Sequence, residues 1–295
     1  MEEKTEKIKM PIETRVEAYN LILQLKKNNT STQEIIKQVC KNFNIPYGTI
    51  YQYCKYGKSP FGKSKIRFKK ELFYVLGALL GDGCAYYWKK MGWYLVILVG
   101  EKKFVDKFTD KLSKCCGRKI KGYIMRSKNV WKAQKLSIEL YLLFKKVREN
   151  KSFLLNLMKN GDYSRNGIDF IEGLFDAEGC VKIIKEKVRK TPKICLDITN
   201  TDKELLDVAQ LLLKEILNIE SNYSLQKANG IKNKQTAYHL RIYKKSFIKK
   251  FFENIGTVKL RPEKEEYLQK WLNNGKGAEI TSPLHFDNIS QPAPS

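Results

Sequence analysis

The chain has 295 residues, is 42% hydrophobic, and carries 56 Lys+Arg against 31 Asp+Glu, a formal charge of +25. That length supports two or three domains with a large core, and no apolar run reaches the ~18 residues of a spanning helix. The charge excess points to a polyanionic partner, nucleic acid first. Seven cysteines with no CxxC pair, and only His239 and His285, argue against a zinc site and a disulfide framework.

In chain order, the charged start (Met1-Glu2-Glu3-Lys4) has no apolar core of signal-peptide length, so an intracellular location is expected. Glu13 to Lys27 has helical periodicity. Ser31 or Thr32 can cap a second helix through Val39, with Glu34 placed as in a capping box. Tyr47 to Tyr53 reads as a third short helix after Asn44-Ile45-Pro46. Two short helices joined by a tight turn resemble a helix-turn-helix, in which Tyr47, Thr49, Tyr51 and Gln52 face DNA. Tyr56 to Lys70 is a basic linker.

From Glu71 the order is helix (to Leu80), strands (Tyr86–Trp88, Tyr94–Val99), helix (Lys102–Cys116), strands (Lys121–Arg126, Trp131–Ile138) and helix (Leu140–Glu149). After a polar linker, Asn156 to Gly167, the same order returns. It comprises a helix (Asp169–Ala177), strands (Val181–Glu186, Ile194–Thr199), a helix (Lys203–Leu217), strands (Tyr223–Lys227, Tyr238–Tyr243) and a helix (Lys245–Ile255). After Trp271 the Gly/Asn/Pro/Ser composition predicts a disordered tail. The predicted fold class is α+β, with two pseudo-symmetric αββαββα halves and a small all-α N-terminal domain. The expected boundaries are 1–65, 66–163, 164–274 and 275–295.

Each half opens on a related nonamer. Val75-Leu76-Gly77-Ala78-Leu79-Leu80-Gly81-Asp82-Gly83 and Ile171-Glu172-Gly173-Leu174-Phe175-Asp176-Ala177-Glu178-Gly179 both carry small residues four apart and end in an acid and a glycine. Residues four apart share a helix face, and a small-residue face lets two helix backbones approach closely. Packed so, Asp82 and Glu178 emerge together. Two carboxylates held side by side repel unless cations neutralise them, and hard, oxygen-loving Mg²⁺ suits that role. Such a centre favours attack on a phosphodiester.

These stretches, with the duplicated topology over about residues 70–260, resemble the paired motifs of single-chain LAGLIDADG homing endonucleases. The first copy has Leu80 where the motif name carries its first aspartate. The resemblance implies two curved sheets forming a saddle on a long, asymmetric site in double-stranded DNA, a monomer, and one strand cut by each half to leave short 3′ overhangs. It implies that Asp82 and Glu178 bind Mg²⁺ (or Mn²⁺), helped by the carbonyls of Gly81 and Ala177. It also implies a polar residue and a lysine beside each acid. Asn200 and Lys244 match in the second half. In the first, the polar match falls on Gly100, and Lys135 or Lys132 is the nearest lysine, so the two cuts need not be equally fast. A cleavage-inactive DNA- or RNA-binding regulator, or an intron maturase, is the alternative.

Strand alternation places Leu240 and Ile242 toward the helices and His239, Arg241 and Tyr243 toward DNA, with Asp197 and Thr199 likewise outward. Arg241 suits guanine. Lys182, Lys185 and Lys232, in or beside the basic turns, suit phosphates.

Overall fold

A computed structural model of the chain describes residues 10–61, 66–125, 129–184, 192–228, 235–260 and 262–273. The first three helices are α1 (Ile12–Lys27), α2 (Thr32–Phe43) and α3 (Tyr47–Lys55). Ser31 caps α2, its Oγ accepting from the Glu34 N–H at 3.3 Å. Asn44 ends α2 in the left-handed region at φ 50°, where asparagine costs little, and Ile45-Pro46 turns the chain into α3. Ala18, Ile22, Ile35, Ile36, Val39, Ile45 and Ile50 form a separate small core.

Two halves follow. The first comprises α4 (Lys70–Asp82), β1 (Gly83–Trp88), β2 (Trp93–Gly100), α5 (Lys102–Cys116), β3 (Tyr123–Met125), β4 (Val130–Leu136) and α6 (Ile138–Glu149). A further helix, α7 (Lys151–Lys159), leads to the second half. That half comprises α8 (Tyr163–Glu178), β5 (Gly179–Ile184), β6 (Lys193–Asn200), α9 (Lys203–Leu217), β7 (Asn222–Gln226), β8 (Ala237–Ile242) and α10 (Lys245–Asn254), and α11 (Pro262–Asn273) closes the described chain. Both sheets are antiparallel, in the orders β1-β2-β4-β3 and β5-β6-β8-β7. The registers correspond: Gly83 pairs with Leu98, and Gly179 with Ile198.

The polar segment expected as a linker, 156–167, is mostly helical, and Asn160 and Asp162 within it cap α7 and α8. Asn150 Oδ1 accepts from the Phe153 N–H at 2.8 Å to start α7. Asp162 Oδ1 accepts from the Arg165 N–H at 3.0 Å to start α8. Helix α11 also lies outside the expected elements. It begins at Pro262, a favoured first position, and buries Tyr267 and Leu268. Residues 275–295, expected as a tail, lie outside the described residues.

Helices α4 and α8 pack face to face at the centre of the main core, with Leu72, Tyr74, Leu76, Phe170, Leu174 and Phe175 fully enclosed. Backbone touches backbone. A Cβ on Gly77 would lie 2.2 Å from the Phe170 carbonyl oxygen, and one on Gly173 would lie 2.1 Å from that of Tyr74. The small-residue faces read from the sequence are thus the contact surface. One face of each sheet packs on the helices through Val96, Leu98 and Ala133 or Leu196, Ile198 and Leu240, and the other is bare.

Candidate active site and nucleic-acid surface

Asp82 and Glu178 are the last residues of α4 and α8. A Cβ on Gly81 would stand 2.5 Å from Ala177 Cβ and 2.9 Å from Glu178 Cγ, so Glu178 lies over the residue that precedes Asp82. Burial raises the Glu178 carboxyl to about 7; the neighbouring Asp82 charge adds to the rise, and Lys259 and the Asn200 hydrogen bond oppose it. Asp82 is open to solvent on one side and packed on the other. The packed side raises its carboxyl, and Lys259 opposes the rise.

Asn200 Nδ2 donates to Glu178 Oε1 at 2.8 Å. The Asn200 amide is fixed in turn, since its Oδ1 accepts from the Asp202 N–H at 2.8 Å. A cavity of about 370 Å³ adjoins this pair, lined among others by Gly81, Arg148, Glu178, Asn200 and Asp202. Arg148 comes from α6 in the first half and so faces the acid of the second. In the first half Gly100 has no room for a polar side chain, as a Cβ there would meet Phe104 Cδ1 at 2.8 Å.

The two lysines named from the sequence sit in different surroundings. Lys135 is 3% exposed, on the helix-facing side of β4, and its Nζ has no hydrogen-bond partner. Its partner across the sheet is Val96, a core residue, and burial lowers its pKa, Arg118 adding to the fall and Cys116 opposing it. Strand alternation puts Ala133 and Lys135 on the same, helix-facing side of β4. Lys244 precedes α10 with its Nζ 4.6 Å over the Phe247 ring. The lysine charge felt by both acids is instead Lys259.

A clasp holds Lys259 in place. Asp176, fully buried two residues before Glu178, accepts from Tyr74 Oη (2.9 Å), Lys107 Nζ (2.6 Å), Thr257 Oγ1 (2.6 Å) and the Val258 N–H (2.8 Å). The Lys259 N–H then donates to Thr257 Oγ1 at 3.0 Å. Neither Lys259, whose charge acts on both acids, nor Arg148, which lines the cavity beside Glu178, was singled out from the sequence, because each comes from a distant segment. The second motif's own Asp176 was the one local signal.

Two carboxylates and two helix C-termini converge here. The last carbonyls of each helix, Gly81 and Ala177 among them, lack intrahelical partners, and the helix dipoles add negative potential. These donors are all hard oxygens and fit a divalent cation such as Mg²⁺. Among the described residues no group of three or more His, Cys, Asp or Glu converges as a metal cluster. No described helix is long and apolar enough to cross a membrane.

On the second sheet the registers put Lys182, Asp197, Thr199, His239, Arg241 and Gln226 on the bare face. Asp197 is fully buried among cations rather than projecting. Its Oδ2 is in contact with Lys182 Nζ, 3.1 Å from His239 Nδ1 and 3.4 Å from Arg241 Nε. His239 is 6% exposed. Its Nδ1 lies 2.8 Å from Thr199 Oγ1, and its Nε2 3.0 Å from Gln226 Oε1. The expected direction of these side chains matches, but Asp197 and His239 act as supports under Arg241 and Lys182, which reach solvent. Tyr243 follows β8, with Lys193 Nζ 4.4 Å over its ring. Lys185 and Lys232 lie outside the described residues.

On α3, Tyr47 is 63% exposed and stacks on Tyr51 at 6.0 Å, and Lys55 Nζ lies 5.3 Å over the Tyr51 ring. Thr49 and Gln52 are half-buried. The helix carries no acid.

The LAGLIDADG-like domain family matches residues 168–256, which span the second half. The uncharacterized protein MJ0398 of Methanocaldococcus jannaschii is 31% identical over 276 residues, 88% of this chain and 94% of that protein. A crystal structure of I-DmoI in complex with DNA and Ca aligns at 22% identity over 68% of this chain and 98% of that one, with a TM-score of 0.47. The N-terminal LAGLIDADG domain of DUF199/WhiA aligns at 16% identity over 70% and 90%, with a TM-score of 0.42. With both motif helices in contact and the matched half repeated in strand order and register, the chain belongs to the LAGLIDADG family in its single-chain, two-motif form.

Proposed function

We propose that this protein is a site-specific, divalent-metal-dependent endonuclease acting on double-stranded DNA as a monomer. The observation that carries the reading is the meeting of Asp82 and Glu178 at the ends of two helices packed backbone to backbone, in a chain of charge +25. Asp82, Glu178 and the carbonyls of Gly81 and Ala177 would hold Mg²⁺ or Mn²⁺. A cation there would supply Lewis acidity toward a phosphodiester oxygen and lower the pKa of bound water. Asn200 orients the Glu178 carboxylate by engaging one oxygen and leaving the other free. Lys259 offsets the acids' negative charge, and Arg148 in the adjoining cavity favours a phosphate there. Arg241 and Lys182, braced by Asp197, meet base edges and phosphates of the second half-site. Tyr47, Thr49, Tyr51 and Gln52 extend the contact through α3.

The expected outcome is that Asp82→Asn and Glu178→Gln each abolish double-strand cleavage and leave DNA affinity within about twofold, read by gel assays with Mg²⁺ and by titration in EDTA. Full cleavage by either variant would refute the assignment. One feature favours a non-cutting regulator or maturase as the second reading. Gly100 leaves the Asp82 side without a counterpart to Asn200, so a protein that binds but neither cuts nor nicks in Mg²⁺ or Mn²⁺ fits that reading.

A further inference from the structure

The two halves are unlike in how their motif helices are flanked. In the register that aligns Asp82 with Glu178, Asp169, Glu172 and Asp176 on α8 correspond to Phe73, Leu76 and Leu80 on α4. Facing the acidic stripe, α5 of the first half presents Lys107 and Lys111, one turn apart. The same positions of α9 hold the buried Val208 and Leu212.

An ammonium has three N–H donors, and Lys107 has a partner for each. Its Nζ lies 2.6 Å from Asp176 Oδ2 and 2.7 Å from Glu172 Oε1, and it donates to the Gly256 carbonyl. Lys111 Nζ meets Asp169 Oδ1 at 3.2 Å and Glu172 Oε2 at 3.8 Å. Buried ion pairs are often no more stabilising than apolar side chains of similar volume, and the other half folds with the apolar set. Packing alone therefore does not call for these charges.

Their second use lies at residues 255–260, between α10 and α11, which form no helix or strand of their own. Three consecutive residues there are tied to the network. Lys107 bonds Gly256, and Asp176 Oδ1 accepts from Thr257 Oγ1 and the Val258 N–H, while Lys107 holds the other Asp176 oxygen. Lys259 comes next, its N–H on Thr257 Oγ1. The tie thus crosses from the first half, which owns α5, to a segment of the second.

We propose that Lys107 is a positioning residue for Lys259: from the first half it fixes the segment that carries this lysine to the paired acids, so the site is complete only while α5 and α8 are docked. The effect on rate rests on the proposed nuclease function; the tie itself does not.

The test uses the full chain and three variants. Lys107→Met keeps the stem and removes the ammonium. Lys111→Met breaks the same network where it meets α8 alone. Lys107→Met with Asp176→Leu copies the apolar arrangement of the other half and should regain stability lost in Lys107→Met, read by thermal melts. In EDTA, the Val258 and Lys259 amides should exchange roughly tenfold faster in both Lys107 variants and unchanged in Lys111→Met. With Mg²⁺ and a duplex the wild type cuts, the single-turnover rate should fall roughly tenfold in both Lys107 variants, with affinity in EDTA unchanged. Added to Lys259→Ala, Lys107→Met should cost less than about twofold more, because the two act through one group. Unchanged exchange in the Lys107 variants, equal effects from Lys111→Met, or multiplying rate losses in the double variant would each overturn the proposal. A wild type that cuts no duplex would sink the nuclease reading, and the exchange rates would then decide the tie alone.

Discussion

Raising the pH in the absence of divalent metal should destabilise this protein through the Glu178 carboxyl. Burial first, and the Asp82 charge second, lift it from an ordinary 4.5 to about 7. The folded state therefore holds this proton to a higher pH than the unfolded chain does. Such a group contributes stability that is fully present below its unfolded value and is lost as pH rises through its folded value. The gap converts to roughly 3.5 kcal/mol at most, at about 1.4 kcal/mol per pK unit. Because Glu178 is only half-buried, the expected loss is about 1–2 kcal/mol. The loss falls between about pH 4.5 and pH 8, and Asp82 shifts in the same direction. Mg²⁺ favours both ionised acids and should flatten the slope. The assay is the urea midpoint at about pH 5, 6, 7 and 8, with EDTA or Mg²⁺, for the wild type and Glu178→Gln. The wild type in EDTA should show the steepest fall. The same pH slope for wild type and Glu178→Gln in EDTA would refute the raised Glu178 carboxyl as the source of the effect.

Three further expectations follow from packing and charge. Gly77→Ala and Gly173→Ala each drive a methyl into a backbone carbonyl oxygen, so each should cost about 2–3 kcal/mol or more by denaturation; an unchanged Tm would contradict the close helix contact. Asp197→Asn leaves Lys182, His239 and Arg241 around a neutral amide and should cost about 2 kcal/mol. It should also relax base preference in a binding selection while weak, non-specific affinity rises, and retained preference would argue against a bracing role. Lys259→Ala removes the cation common to both acids. It should cut the cleavage rate roughly tenfold or more and raise the Glu178 titration midpoint, followed by NMR. Lys244→Ala should do neither, and the reverse pattern would favour Lys244 over Lys259.

Much of the fold was legible because its halves repeat and because period-2 and period-3.6 patterns are strong in strands such as 94–99 and helices such as 102–116. The helix contact was legible too, since Gly77, Gly81, Gly173 and Ala177 have no other evident reason to recur at that spacing. Helix α7 was not, because Asn and Asp signal both loops and caps. Asn150 and Asp162 act as caps because their side chains accept from the Phe153 and Arg165 N–H groups, a geometry that composition alone does not reveal. At the site, Asp82, Glu178 and Asn200 were found from local motifs. Lys259 and Arg148 were hidden because a flexible basic side chain has no sequence signature, and dozens of lysines compete for the role. The burial of Lys135 could not be read from the sequence, because its face is set by the β2–β4 register, which places it opposite Val96. Tyr86 and Trp88 were legible only as strand composition, and their exposure follows from the sheet register.

The most direct test of the central claim is to incubate the protein with a randomised DNA duplex library and Mg²⁺ and to sequence any cut ends. The account predicts ends at one long, asymmetric site with short 3′ overhangs, absent with Asp82→Asn and Glu178→Gln. Selective binding of that site with every duplex left whole would contradict it.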